Sequence, residues 1–333
     1  MTGKIMPMHN ISTDLDQALA LLRAGELVGI PTETVYGLAA DAADPAAVAK
    51  IFALKGRPAD HPVIVHLAGR EQLADWARDI PDDAWKLAEA FWPGSLTLIL
   101  QRQPQVPDAV TGGQDTVGLR APAHPLTHEL LRRFGGGLAA PSANQFGHVS
   151  PTTAEHVQAE FGDRLRLILD GGPCPVGVES TIVGLTGPQP ALLRPGGVPA
   201  EAIEAVLGRT LVHHEKPQTA QMRVSGLLDS HYAPRTPLLV GPLGALENEA
   251  YRRFESGERV ALLHRSQMLA AVCGAECHAM PLGAEDYARA LYATLRAFDG
   301  GRFDVLLLEQ PPQTAEWLAV NDRVKRAASR FIG

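Results

Sequence analysis

Apolar residues recur at helical spacing through residues 14–24, where Leu15, Ala18, Leu19 and Leu22 share one face, with Ser12 to Asp14 placed to cap the start and Gly25 to end the turn. The pattern then changes. Residues 27–30 form a short unbroken apolar run ending at Pro31, which reads as a buried strand. The alternation continues as far as residue 207. Helices are predicted from Asp44-Pro45 through a segment carrying Val48, Ile51 and Phe52, and over 82–92, 128–134, 155–161 and 201–207. Strands are predicted over 62–67, 96–100, 116–119, 138–140, 165–169, 180–185 and 191–193. No segment repeats at a fixed period. Residues 209–237 are mostly polar, lack apolar periodicity and hold His213, His214, Pro217, Gly226, Pro234 and Pro237. A linker of that length is either disordered or functional. Beyond it, buried-strand runs at 238–240, 260–263 and 305–308 are separated by helical segments, of which 287–298 and 317–330 have the clearest periodicity. Two α/β units are predicted, 1–208 and 238–333, joined by the linker 209–237.

Composition agrees with two packed domains: 333 residues, 45 % hydrophobic and 20 % charged, with 32 glycines and 26 prolines for tight turns. Cys174, Cys273 and Cys277 are odd in number and thinly spread, which argues against a disulfide framework and for a reducing cytoplasm. Cys273 and Cys277 have no matching His or Cys pair, so no zinc site is expected. Residues 1–10 carry one Lys and no apolar run, unlike a signal peptide. No stretch approaches the ~20 apolar residues of a membrane span, so a soluble, cytoplasmic protein without membrane contact is expected. Net charge is −7 and uneven: residues 1–208 hold 15 Lys and Arg against 23 Asp and Glu, residues 209–333 hold 15 against 14. An acidic larger half argues against tight nucleic-acid binding as the main role, while leaving room for a local basic cleft and a weak tRNA contact.

The chain lacks GxxxxGK[ST], GxGxxG, HExxH and GxSxG signatures, so any use of ATP proceeds without a P-loop. Four segments place polar residues at strand ends, where α/β enzymes build sites. Residues 31–38, PTETVYGL, offer hydroxyls and a carboxylate for a small polar ligand, or simply a capped turn. Lys55-Gly56-Arg57-Pro58 sets two cations at a helix end, suited to phosphate or carboxylate and equally to the helix dipole. His61 and His66 follow. By alternation His66 faces away from Val65 and Leu67, where a satisfied half-buried histidine is the plainer reading. Ala140-Pro141-Ser142-Ala143-Asn144 with Ser150 provides small residues that let a ligand approach the backbone, or turn residues bonded to themselves. Glu179-Ser180-Thr181 and then Arg194-Pro195-Gly196 add a phosphate contact or a surface ion pair.

Taken together and in this order the segments are specific. Residues 15–207 resemble the YrdC-like threonylcarbamoyl-AMP synthase family, through PTETVYGL at 31–38, KGRP at 55–58, HPV at 61–63, FWPGSLTLIL at 91–100, VGLRAP at 117–122, APSAN at 140–144, ESTIV at 179–183 and LRPG at 193–196. SHYAP at 230–234, followed by a second α/β region, resembles the long two-domain form. The resemblance implies a YrdC-like twisted mixed sheet with helices (residues 1–208), a lid motif in the linker (209–237) and a smaller Rossmann-like α/β domain (238–333). The linker departs from the family at Ser225 and Leu227, where Pro and Met are usual.

The activity implied is condensation of L-threonine, bicarbonate and ATP, with Mg²⁺ on the triphosphate, to threonylcarbamoyl-AMP and pyrophosphate. The product would pass to a downstream tRNA threonylcarbamoyl transferase. By motif position, threonine would meet Thr34, His66, Arg120, the backbone of Ala140 and Ser180. ATP would meet Arg57, His61, Thr116, Ser142, Asn144, Ser150, Arg194 and Tyr232, with Lys55 and Arg57 the cations nearest the chemistry. Tyr232 lies in the linker, which suggests a lid over the nucleotide. Carbamoyl-adenylate chemistry of the hydrogenase-maturation type is a competing reading, but those chains are longer and carry Cys-rich modules absent here. An RNA-binding module without catalysis is the other alternative.

Overall fold

Two sheets organise the chain in the computed structural model, which describes residues 10–213, 232–266 and 274–333. Cys273, the linker positions Ser225, Gly226 and Leu227, and Ser230 and His231 of the SHYAP motif lie outside the described residues. The first sheet is mixed and twelve-stranded. Along its width run Ile11–Ser12, Ile168–Leu169, Val28–Ile30, Gly37–Asp41, Leu138–Ala139, Ile64–His66, Thr116–Arg120, Leu96–Arg102, Thr181–Gly184, Ala191–Arg194 and Val212–His213, with Ala77–Arg78 paired to Leu96–Arg102. The second sheet is parallel throughout, in the order Ala275–Ala279, Val260–His264, Val305–Glu309, Leu238–Gly241, Arg330–Phe331. No helix among the described residues is long and apolar enough to cross a membrane.

Local signals account for most boundaries. The Asp14 carboxylate accepts from the Asp16 and Gln17 amides and starts helix Leu15–Arg23, a cap worth about 1 kcal/mol. Ala18, Leu19, Leu21 and Leu22 then bury one face. Asp44 caps helix Pro45–Lys55 with Pro45 in its first turn. Gly56 ends that helix at φ 63°, a conformation glycine adopts without steric cost, and so turns Arg57 inward. Helix Pro125–Phe134 begins three residues before the periodic segment predicted, because His124 accepts from the Leu126 amide and Pro125 opens the first turn.

Other elements differ from the sequence expectation. Gly37–Asp41 is a strand where a turn into the next helix was one reading of PTETVYGL. Its small residues show no alternation because strands Val28–Ile30 and Leu138–Ala139 flank it and helices cover it. Helix Leu318–Ala327 stops short of residue 330, and Arg330–Phe331 pairs in parallel with Leu238–Gly241. Val212–His213, inside the predicted linker, extends the first sheet beside Ala191–Arg194. Helix Leu243–Glu255 and strand Ala275–Ala279 were not predicted individually.

The domains share a core. Val35, Val149 and Val178 of the first domain and Tyr232 pack in one apolar cluster with Tyr287, Tyr292, Leu306 and Trp317 of the second. Arg296 in helix Ala284–Phe298 donates to the Val149 carbonyl (2.7 Å) and to Glu160 Oε1 (2.6 Å) across the same boundary.

Candidate active site

A cleft opens where several strand ends meet. Its lining comes from the loop after Val28–Ile30 (Thr32, Thr34), from Ile64 and His66, from Arg120 at the end of its strand, from Ala140 to Ser142, from Glu179 and Ser180, from Arg194, from Arg57 and from Tyr232. Of the residues expected to meet threonine, Thr34, His66, Arg120, Ala140 and Ser180 all line it; of those expected to meet ATP, Arg57, Ser142, Arg194 and Tyr232 do.

The half expected to meet threonine is a buried polar lattice. Arg120 donates through Nη2 to Glu33 Oε1, through Nη1 to Thr34 Oγ1 (3.0 Å) and through Nε to the Gly94 carbonyl (3.1 Å). Glu33 also accepts from Ser95 Oγ (2.9 Å) and the Ala123 amide (3.0 Å). Burial pushes the Glu33 carboxyl up, but the Arg120 charge and these hydrogen bonds outweigh it and hold the group below the usual carboxylate range. His66 is buried beside that pair. Desolvation, helped by Arg120, lowers its pKa to about 3, so the ring is neutral. Its Nδ1 is buried without a hydrogen-bond partner and remains available to a substrate. Ser180 Oγ lies 2.8 Å from Thr97 Oγ1 and accepts from Arg194 Nη2 (3.2 Å).

The half expected to meet ATP carries Arg57 and Arg194. Arg57 Nη2 donates to the Pro62 carbonyl (2.7 Å), while its buried Nε has no partner. Burial lowers the Arg57 pKa to about 10, which leaves it charged at neutral pH. Arg194 donates to the Ser180 carbonyl through Nε (3.1 Å) and Nη2 (2.8 Å).

Five expected residues do not line the cleft. Lys55 is buried behind it and donates from Nζ to the carbonyls of Ser142 and Asn144, both at 2.5 Å. Burial and the neighbouring Arg57 push its pKa well below the ordinary lysine value. It shapes the 142–144 loop from within. Asn144 donates to the carbonyls of Gln145 (2.8 Å) and His148 (3.0 Å). Ser150 donates to Glu179 Oε1 (2.6 Å). His61 sits edge-on to Phe146, ring centres 5.7 Å apart. Thr116 lies two residues before Gly118, which pairs with Ile64, and so at the same end of the sheet as Pro62 and Arg57.

Two carboxylates were missed as site residues. Glu33 orients Arg120, and Glu179 lines the cleft itself. Both stand inside quoted motifs, PTETVYGL and ESTIV, so a signal was present: a carboxylate in a segment otherwise suited to anions needs a buried cation as partner.

Comparison with known proteins identifies the family. A family model described as "Telomere recombination" (Sua5/YciO/YrdC) matches residues 20–196, and one described as "Threonylcarbamoyl-AMP synthase, C-terminal domain" matches residues 198–329. The chain is 41 % identical over 325 residues to the threonylcarbamoyl-AMP synthase of Pyrococcus abyssi, covering 95 % of this chain and 94 % of that one. It is 41 % identical to the Bacillus subtilis threonylcarbamoyl-AMP synthase, covering 94 % and 92 %. The crystal structure of Pyrococcus abyssi Sua5 complexed with L-threonine superposes with a TM-score of 0.88 at 40 % identity, over 96 % of this chain and 95 % of that one. With family models across both domains and relatives matched almost end to end, the chain belongs to the two-domain threonylcarbamoyl-AMP synthase family.

Proposed function

We propose that this protein is an L-threonylcarbamoyladenylate synthase, a nucleotidyltransferase that supplies threonylcarbamoyl-AMP for modification of the adenosine next to the anticodon in tRNA. The observation that carries the reading is one cleft with a buried hydroxyl-rich half around Thr34, Arg120 and Ser180 beside a cationic half at Arg57 and Arg194.

The chemistry suits such a cleft. The threonine amine adds to bicarbonate with loss of water, giving an N-carboxylate. One carboxylate oxygen attacks the α-phosphorus of ATP, the bond to the bridging oxygen breaks, and pyrophosphate leaves. A carboxylate is already ionised at neutral pH, so the step needs no dedicated base. What it needs is two anions held together with their repulsion screened. Arg57 and Arg194 supply charge, while Arg120 with Thr34 orients the amino acid. Neutral His66 can hydrogen-bond the substrate without adding a cation to the threonine half. Magnesium enters with ATP as part of the substrate. Among the described residues no cluster of three or more His, Cys, Asp or Glu is placed to hold a metal, and Glu179, the one carboxylate lining the cleft, is already engaged. Ser180, Thr34 and Thr97 around the amino-acid half favour a substrate whose hydroxyl can pair with them. The product passes to a tRNA threonylcarbamoyl transferase.

The test is pyrophosphate release from the purified chain with ATP and Mg²⁺, omitting threonine or bicarbonate in turn. Release that needs both is expected. Release independent of threonine points to another acceptor, and no release from folded protein overturns the reading.

A further inference from the structure

The second domain reaches the wall of the cleft. Arg323 in helix Leu318–Ala327 is fully buried. Its Nε donates to Glu179 Oε2 (2.7 Å), its Nη1 donates to the Pro195 carbonyl (3.0 Å), and its guanidinium carbon lies 5.4 Å from the Tyr232 ring centre. Tyr292 in helix Ala284–Phe298 donates its hydroxyl to the same Glu179 Oε2 (3.0 Å), and its ring centre is 5.7 Å from that of Tyr232. Glu179 and Tyr232 both line the cleft.

Each of these two wall residues needs holding. Glu179 is a carboxylate in a cleft suited to anions, facing Arg194 and Tyr232 as well as Ser150, Tyr292 and Arg323. Burial raises its pKa, yet Arg323 and Arg194 together with the Ser150 hydrogen bond bring it to about 2, so it stays charged. Without Arg323 that charge would compete with ATP for Arg194 or repel the triphosphate. Tyr232 has φ 65°, a left-handed conformation that a tyrosine adopts only when its surroundings enforce it. The enforcing contacts include the Arg323 guanidinium on its ring and the Ala233 amide, which donates to the Gly147 carbonyl (2.9 Å).

Domain adhesion has other sources. Arg296 bonds Val149 and Glu160, and Arg289 Nε donates to the Pro175 carbonyl (2.8 Å). Gly177 lies so close to helix Ala284–Phe298 that a Cβ there would meet Arg289 Cα at 2.5 Å. Docking of the domains therefore does not rest on Arg323 alone.

We propose that Arg323 and Tyr292 are positioning residues of the reaction: they fix the Glu179 carboxylate and the Tyr232 ring as the wall of the nucleotide half, so that the catalytic domain attains its ATP-binding geometry only with the second domain docked. The proposal rests on the synthase function proposed above and assigns the second domain a part in it.

The test is a mutant cycle in the full-length chain: Arg323→Met, Tyr292→Phe, Glu179→Gln and the doubles with Glu179→Gln. Arg323→Met is expected to raise KM for ATP about tenfold and to change threonine affinity, measured by calorimetry without nucleotide, by less than about threefold, within the range for neighbours in one ion-pair network. Because part of the effect of Arg323 passes through Glu179, the double variant should lose less than the sum of the two single losses. Tyr292→Phe removes one hydroxyl from the packed cluster and carries the same cycle if Arg323→Met fails to fold. Unchanged ATP parameters in a folded single variant, or additive losses in the double, overturn the proposal. Wild-type protein without threonine-dependent pyrophosphate release overturns the function instead, and ATP binding by calorimetry then still decides whether these residues shape the nucleotide wall.

Discussion

Arg120 and Glu33 form a buried ion pair at the hydroxyl-rich end of the cleft, and the same guanidinium holds Thr34 Oγ1 at 3.0 Å, so one residue links the charge balance of the core to a cleft hydroxyl. Breaking a buried pair strands the remaining charge. Glu33→Ala is expected to cost about 3 kcal/mol of stability, because Arg120 is left without its carboxylate. Urea denaturation should show a lower midpoint, and KM for threonine should rise more than KM for ATP. A variant with wild-type midpoint and wild-type KM would show that Arg120 is positioned by the Gly94 carbonyl and Thr34 alone.

Lys55 acts through the backbone of the Ser142–Asn144 loop. Buried hydrogen bonds of this kind contribute about 1 kcal/mol each. Lys55→Met keeps the length of the stem and removes both. We expect a fall in thermal midpoint together with reduced pyrophosphate release, since Ser142 lines the cleft. Reduced turnover at unchanged stability would instead place the Lys55 amine in the chemistry.

Arg57 keeps its charge at a pKa of about 10 and presents a buried Nε with no partner. A guanidinium fork and an ammonium are not equivalent toward phosphate. Arg57→Lys is expected to raise KM for ATP about tenfold while threonine binding is kept, the loss of roughly one good charge-assisted hydrogen bond. Steady-state kinetics with each substrate varied separately reads the difference, and equal changes in both would contradict the division of the cleft.

His66 predicts a pH effect on stability. Its folded pKa is about 3 against an ordinary 6.5. The unfolded chain therefore binds a proton below 6.5 that the native state refuses, and the stability present above 6.5 is lost as pH falls toward 3. Between pH 7.5 and 5 this single group should remove about 2 kcal/mol. In His66→Gln the stability curve should be flatter over that interval than in wild type. Parallel curves would show that the histidine takes up its proton in the folded protein.

Much of this architecture was legible in residue order. Asp14 and Asp44 with Pro45 announced helix starts that depend only on neighbours two or three positions away. Apolar runs such as 260–263 and 305–308 marked buried parallel strands, and the motif segments PTETVYGL, KGRP, APSAN, ESTIV and LRPG pointed to one site from polar residues at strand ends. These features are local, so a linear pattern carries them.

What tertiary structure alone decided is which polar groups became ligand-facing and which became scaffolding. Lys55 and Arg57 are two residues apart and read alike in sequence, yet one turns behind the 142–144 loop and the other lines the cleft. Strand Gly37–Asp41 is composed of small residues without alternation, and becomes a strand through partners on both sides. Arg323 lies 144 residues from Glu179 in the chain and carries no motif, so only the docking of the second domain makes it part of the site. A buried charge is settled by whichever opposite charge folding brings within hydrogen-bond reach, and that choice is made across the fold.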